Sequence, residues 1–165
     1  MSLTRVHIDT TYLMPLFGLE PSIAHLREQF LELLTQDRFV FNYSPVSIIE
    51  IKWQVMRLIG SGYNGDLLEQ KFSQALTSLK EDDRYNIVDF LDARINDVSY
   101  ELRKLGHSDY FDTIIASSAL WESDKLITED NPLKLIIQEY FDKNKDSHFE
   151  KIEILTWEEY YKSTE

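Results

Sequence analysis

The chain has 165 residues, 43% of them hydrophobic and 13% aromatic, which is enough apolar material for one packed domain and argues against disorder. The absence of cysteine excludes disulfides, thiolate zinc sites and cysteine nucleophiles, and the absence of a signal-peptide pattern or an apolar run of about 18 residues predicts a cytoplasmic protein outside the membrane. A net charge of -12 argues against broad electrostatic affinity for nucleic acid or anionic membranes, and suits either a cation-binding acidic cluster or plain solubility.

The first half of the chain alternates the patterns of β-strands and α-helices. Residues 3–9 predict a buried strand, and residues 20–36 predict an amphipathic helix. The aromatic and β-branched residues 38–44 predict a second strand, which leads into a helix at 45–60 with proline in its first turn. A further helix is predicted over 66–79 after a glycine-rich turn.

The second half continues the alternation with three short strands and three helices. The predicted strands are 85–88, 125–128 and 151–155, and the helices lie at 89–106, at 107–120 and from Asn131 onward. Strands that alternate with helices imply a parallel sheet covered on both faces. The pattern therefore predicts an α/β fold in a single domain, residues 1–165.

Four acidic residues stand where open parallel sheets collect functional groups, at the carboxyl ends of strands and at adjoining helix starts. Asp9 ends the first strand, Glu50 follows the second, Asp112 lies in the first turn of its helix, and Asp130 follows the fourth strand. Asp112 falls on the apolar face of its helix, where a carboxylate is costly unless something compensates it.

A divalent cation would compensate these acids, because their motifs contain no neighbouring lysine or arginine. Oxygen ligands favour Mg²⁺ or Mn²⁺ over zinc. Such an ion lowers the pKa of a bound water and shields a phosphodiester, which permits hydrolysis without a protein nucleophile.

Helix capping is the structural alternative for most of these acids. Glu50 stands three residues after a serine and could complete a capping box, Asp109 or the serine before it could cap the helix at 107–120, and Asp130 or the asparagine after it could cap the next helix. Asp9 has no comparable capping role at the end of a buried strand. The coincidence of four acids at such positions favours one metal site over four separate structural roles.

Four motifs resemble those of the PIN-domain family, in the same order and over nearly the whole chain. They are “HIDTTYLMPLF” with Asp9 and Thr10, “SPVSIIEI” with Glu50, “FDTIIASSAL” with Asp112, and “LITEDNPL” with Thr128 and Asp130. The resemblance implies a three-layer α/β/α fold whose five parallel strands have the order 3-2-1-4-5. It also implies that the four acids bind Mg²⁺ or Mn²⁺ and catalyse RNA cleavage, with the two threonines in support.

The resemblance further implies a biological role and partners. Among small PIN proteins of this length, the commonest role is the toxin of a VapBC-type toxin–antitoxin pair, which would have an antitoxin partner. The alternatives are an RNA-processing nuclease and a non-catalytic PIN-like binding module; a receiver-like phosphoacceptor ranks last because the paired acid and late lysine that it requires are not evident. The family usually forms homodimers, and the apolar helices at 20–36 and 66–79 are the predicted interface.

Three further residues are candidates for the site. Asp109 stands three residues before Asp112 and could be an additional metal ligand, although an N-cap is the favoured interpretation. His107 could orient a carboxylate or bind phosphate, but a lone histidine before a helix is more often a surface residue. Arg57 shares a helical face with Glu50 and is the best candidate for an RNA phosphate contact, against the alternative of a solvated arginine.

Overall fold

The computed structural model describes residues 3–144 and 152–164. Five strands form one sheet in the order β3-β2-β1-β4-β5, and all neighbouring strands are parallel. The strands are β1 (Thr4–Ile8), β2 (Phe39–Tyr43), β3 (Tyr85–Ile87), β4 (Lys125–Ile127) and β5 (Glu153–Leu155). The predicted fold class and strand order are therefore confirmed.

Helices cover both faces of this sheet. Within the described residues they are α1 (Thr10–Leu13), α2 (Leu26–Leu33), α3 (Pro45–Gly60), α4 (Gly65–Glu81), α5 (Ala93–Lys104), α6 (Tyr110–Glu122), α7 (Asn131–Lys143) and α8 (Trp157–Lys162), with a 3-10 turn at Met14–Phe17. One hydrophobic cluster packs the helices α1, α2, α3, α4 and α8 against one face of the sheet. A second cluster packs α5, α6 and α7 against the other face. None of the helices described in the structure is long and apolar enough to cross a membrane.

Alternation along the strands explains the two layers. Neighbouring residues of β4 point to opposite faces, so that Leu126 belongs to one cluster and Ile127 to the other. Val6 and Ile8 of the central strand β1 are fully buried in the same cluster as Ile127. The parallel sheet is thus covered on both sides, as its apolar strands require.

Several element boundaries differ from the predicted ones. The helix predicted over 20–36 is only Leu26–Leu33, because His25 adopts a left-handed conformation with φ 58° just before it. The helix predicted over 89–106 begins at Ala93, because the side chain of Asp92 accepts a hydrogen bond from the Arg94 amide and caps it. The predicted fifth strand begins at residue 151, which lies outside the described residues.

The middle of the sheet contains a buried histidine. His7 lies in β1 opposite Asn42 of β2 and Leu126 of β4, and it is fully buried. Neither of its ring nitrogens has a hydrogen-bond partner in the described part of the chain. Burial lowers the pKa of His7 from 6.5 to about 3, because the charged imidazolium would lose its hydration.

His7 should make the protein less stable in mild acid. Below pH 6.5 the unfolded chain binds a proton that the folded protein does not bind until about pH 3, so the free energy of unfolding falls as the pH falls through this range. Between pH 7.5 and pH 5 the loss due to His7 is about 2 kcal/mol. We expect His7→Leu to lose less stability than the wild type between these pH values, as measured by urea unfolding. Equal losses in the two proteins would contradict this account.

Candidate metal centre

The carboxyl ends of β1 and β4 place two of the predicted site residues side by side. Asp9 follows β1, Thr128 follows β4, and Ile8 lies opposite Ile127 in the sheet. The Thr128 hydroxyl donates a hydrogen bond to Asp9 Oδ2 at 3.0 Å, and the Thr10 amide donates to Asp9 Oδ1 at 2.6 Å. Both oxygens of the Asp9 carboxylate are therefore held in a fixed orientation.

Glu50 joins this group from α3. The Thr10 hydroxyl donates a hydrogen bond to Glu50 Oε2, which links α3 to the residues after β1. The N-cap of α3 is Ser44, whose side chain accepts from the Val46 amide. Because Ser47 therefore lies inside the helix, the capping-box alternative for Glu50 is wrong.

His107 connects Asp112 to Asp130. Its Nε2 lies 3.2 Å from Asp112 Oδ2 and 3.8 Å from Asp130 Oδ2. His107 is 7% exposed and the two acids are half-buried, so the interpretation of this histidine as a surface residue is wrong. The structure instead places an imidazole nitrogen between two of the predicted acidic residues.

Three of the acids also cap helices. Asp9 is the N-cap of α1, because its Oδ1 accepts from the Thr10 amide, so the expectation that Asp9 has no capping role is wrong. Asp109 Oδ1 accepts from the Phe111 amide at 2.8 Å and caps α6. Asp130 Oδ1 accepts from the Leu133 amide at 2.8 Å and caps α7, while its Oδ2 faces His107. Capping therefore occupies one oxygen of Asp130 and leaves the other directed at the cluster.

Burial and mutual repulsion raise the pKa values of the central carboxyls. Burial is the main cause of the increase in the pKa of Asp9 from 3.8 to about 7; the charges of Asp112 and Glu50 add to it, and the hydrogen bonds from Thr10 and Thr128 oppose it. Burial also raises the pKa of Glu50 and of Asp112. The hydrogen bond from His107 partly offsets the rise for Asp112.

These residues fit a divalent cation. His107 Nε2 and one oxygen each of Asp112 and Asp130 all lie within 4.8 Å of one another. Asp9 and Glu50 lie outside this compact group but are coupled to Asp112 through their charges. In the described part of the chain, lysine and arginine side chains form their ion pairs with other acids, so none of these pairs neutralises the cluster, and its oxygen and nitrogen donors are of the kinds that bind divalent cations.

Arg57 lies apart from this cluster. It is exposed on α3 and lines a cavity of about 690 Å³ together with Gln54 and Lys71. The lining of that cavity includes none of the four predicted acids. Arg57 was predicted to contact RNA phosphate because it shares a helical face with Glu50, but it lines a cavity that the four carboxylates do not line.

Comparison with known proteins identifies the fold. No family model and no curated protein matches the chain. Solved structures do match: a chain in the crystal structure of VapBC2 from Rickettsia felis bound to a promoter DNA fragment has a TM-score of 0.57 and 19% identity, with 93% of this chain and 99% of that chain covered. The fold is PIN-like.

Two further structures match this PIN-like fold. A chain of DNA-bound VapBC from Salmonella typhimurium has a TM-score of 0.53 and 14% identity, with 94% of this chain and 99% of that one covered. A chain of FitAcB from Neisseria gonorrhoeae has a TM-score of 0.53 and 18% identity, with 81% and 93% covered. At these identities the comparisons confirm the predicted fold, and the chemistry must be argued from the side chains.

The sequence motifs missed one contact beside the site. Glu129 Oε1 accepts hydrogen bonds from the Tyr12 hydroxyl at 3.0 Å and from the Trp157 amide at 2.9 Å. Glu129 thereby ties α1 and α8 to the loop that carries Thr128 and Asp130. The spacing of residues within a motif does not reveal such a contact, because Tyr12, Glu129 and Trp157 are far apart in the chain and meet only in the folded protein.

Asp9→Asn should stabilise the metal-free protein at alkaline pH. The folded-state pKa of Asp9 is about 7, against 3.8 for an aspartate carboxyl in the unfolded chain, so the free energy of unfolding falls as the pH rises between these values. At pH 8 in EDTA, we expect Asp9→Asn to raise the free energy of unfolding by up to about 4 kcal/mol, and by less at pH 5. Urea unfolding at both pH values measures the effect.

The control for this experiment is Asp142→Asn, which removes an exposed carboxylate from α7. It should change stability little, and to the same extent at both pH values. A destabilised Asp9→Asn protein at pH 8 would show that the hydrogen bonds of Asp9 outweigh the repulsion around it.

Proposed function

We propose that this protein is a Mg²⁺- or Mn²⁺-dependent endoribonuclease and the toxin of a VapBC-type toxin–antitoxin pair. The observation that carries the proposal is the convergence of Asp9, Glu50, Asp112 and Asp130 at one edge of the sheet, where burial raises the pKa of the first three. The match of the fold to chains from VapBC and FitAcB complexes supports the role as a toxin with an antitoxin partner.

The four acids would hold the metal and catalyse the reaction. A bound ion would activate a water molecule and neutralise charge on the phosphodiester. The side chains of the protein supply the rest. Thr10 and Thr128 hold the carboxylates of Glu50 and Asp9 in place, and a carboxylate of this group would accept the proton of the attacking water.

RNA would require local positive charge on this acidic protein. Arg57 and Lys71 line the cavity of about 690 Å³ beside α3 and α4, with Gln54 as a neutral hydrogen-bonding group. Phosphate oxygens prefer such side chains, and Arg57 remains our candidate for a phosphate contact. Because the four acids do not line this cavity, phosphate contacts there would position the RNA without taking part in cleavage.

Cleavage should depend on the metal and on Asp112. Single-stranded RNA should be cut with Mg²⁺ or Mn²⁺ and spared in EDTA, since no lysine or arginine ion pair among residues 3–144 and 152–164 neutralises these carboxylates. Asp112→Asn should abolish cleavage and reduce the increase in melting temperature that Mn²⁺ produces. It should leave the metal-free protein as stable as the wild type or more so, because it removes one member of a repelling group.

Asp109→Asn is the matched control, because it changes the same charge three residues earlier in the chain. Asparagine caps a helix about as well as aspartate, so most of the activity should survive. Undiminished cleavage in EDTA would refute the mechanism. Mn²⁺ binding without cleavage of any RNA would favour the non-catalytic PIN-like module, and RNA cleavage without an antitoxin gene beside this one would favour an RNA-processing nuclease.

We also propose that the protein forms a homodimer, through a different surface from the one that the sequence predicted. Most apolar residues of α2 and α4 are buried against the sheet, and their exposed large apolar side chains, Leu31, Leu67 and Leu76, are divided between the two helices. By contrast, Ile49, Trp53 and Met56 form an exposed apolar stripe on α3, with Trp53 71% exposed. Residues at this spacing share one helical face.

Trp53→Glu should therefore disrupt the dimer. A charge in the centre of an apolar interface costs several kcal/mol, because it must lose its hydration there. Light scattering should give about twice the chain mass of 19.5 kDa for the wild type and a value near 19.5 kDa for Trp53→Glu. Leu135→Glu is the matched control, since Leu135 of α7 is 72% exposed and lies on another helix. Wild-type protein that is monomeric over a wide concentration range would refute the dimer.

A further inference from the structure

His107 occupies a constrained position at the candidate metal centre. It lies in the turn between α5 and α6, directly after Gly106, whose φ of 114° is a conformation that L side chains rarely adopt. Its own amide bonds to the Leu102 carbonyl at 3.4 Å. The turn thus places a buried imidazole against the two acids instead of in solvent.

A hydrogen bond to one carboxylate does not account for this arrangement. The 3.2 Å contact with Asp112 Oδ2 is compatible with a hydrogen bond, but the 3.8 Å approach of the same Nε2 to Asp130 Oδ2 is too long for one. Adjacent ligands on an octahedral ion with bonds of about 2.1 Å lie about 3 Å apart. The distances of 3.2 Å and 3.8 Å from His107 Nε2 to the two carboxylates lie near this spacing, and one ligand atom from each of the three residues lies within 4.8 Å of the others.

We infer that His107 binds the metal through Nε2, together with Asp112 and Asp130, and that this nitrogen ligand makes the centre prefer Mn²⁺ to Mg²⁺. The inference rests on the proposed function, since it assumes that a divalent cation binds at these acids. Imidazole is a ligand for transition-metal ions, whereas Mg²⁺ strongly prefers oxygen. A site with carboxylates alone would lack this reason to discriminate between the two ions.

Electron spin-echo spectroscopy of bound Mn²⁺ tests the inference directly. The wild-type protein loaded with Mn²⁺ should show coupling of the electron spin to a ¹⁴N nucleus, and labelling of the histidines with ¹⁵N should replace it by ¹⁵N coupling. His107→Gln should lose the coupling. His25→Asn is the matched control, because His25 is an exposed histidine outside the cluster and asparagine tolerates its positive φ.

Metal affinity provides the second measurement. In titrations with Mn²⁺ alone, and with Mg²⁺ as competitor, His107→Gln should weaken Mn²⁺ binding at least about tenfold and change Mg²⁺ binding much less. An equal loss for both ions would show that His107 only positions Asp112, and would overturn the inference.

The outcomes separate this inference from the proposed function. Bound Mn²⁺ without histidine coupling in the wild type would overturn the inference, while metal-dependent RNA cleavage in the same preparation would leave the proposed function intact. Failure of the wild type to bind Mn²⁺, together with cleavage that EDTA does not reduce, would overturn both. The wild-type spectrum is decisive even where His107→Gln folds poorly, because the ¹⁵N label replaces the variant.

Discussion

Repulsion among half-buried carboxylates at one edge of the sheet is the constraint around which the site is built. Burial raises the pKa of Asp9, Glu50 and Asp112, and the charges of neighbouring carboxylates raise it further, so their ionised forms are costly in this grouping. The Thr10 and Thr128 hydroxyls hold two of them in place. A fold that maintains such an unfavourable grouping is better explained by a ligand than by stability.

The parallel sheet sets this geometry. Because β1 is the central strand and β4 is its neighbour, their carboxyl ends bring Asp9 and Thr128 together without any long-range loop. Asp9 and Thr128 are therefore positioned by two neighbouring strands of a sheet that is covered on both faces. Glu129 adds a second support, because it ties the loop after β4 to α1 and α8.

The sequence predicted what depends on periodicity and on strand ends. The alternation of strands and helices predicted the parallel sheet, the periodicity of α6 predicted that Asp112 is partly buried, and the PIN-domain resemblance implied the strand order that the structure has. The structure also brings the predicted acids to one edge of the sheet. Prediction was wrong for the burial of His107, because a loop residue has no periodic pattern and its exposure depends on how α5 and α6 pack. It also omitted α8, although Thr156 and Glu159 form a capping box that the spacing T-x-x-E could have revealed.

Helix termini offset part of the repulsion, and magnitudes show that the offset is too small. Asp130 caps α7, and Asp112 lies in the first turn of α6, where the helix dipole favours an anion by about 0.3–1 kcal/mol. By comparison, the rise of the Asp9 pKa from 3.8 to about 7 corresponds to about 4 kcal/mol against the ionised form. The ion pairs that lysine and arginine form in the described residues are with other acids, and the nitrogen group that lies among these carboxylates is the single imidazole of His107. The negative charge that remains is the charge that the proposed metal ion would balance.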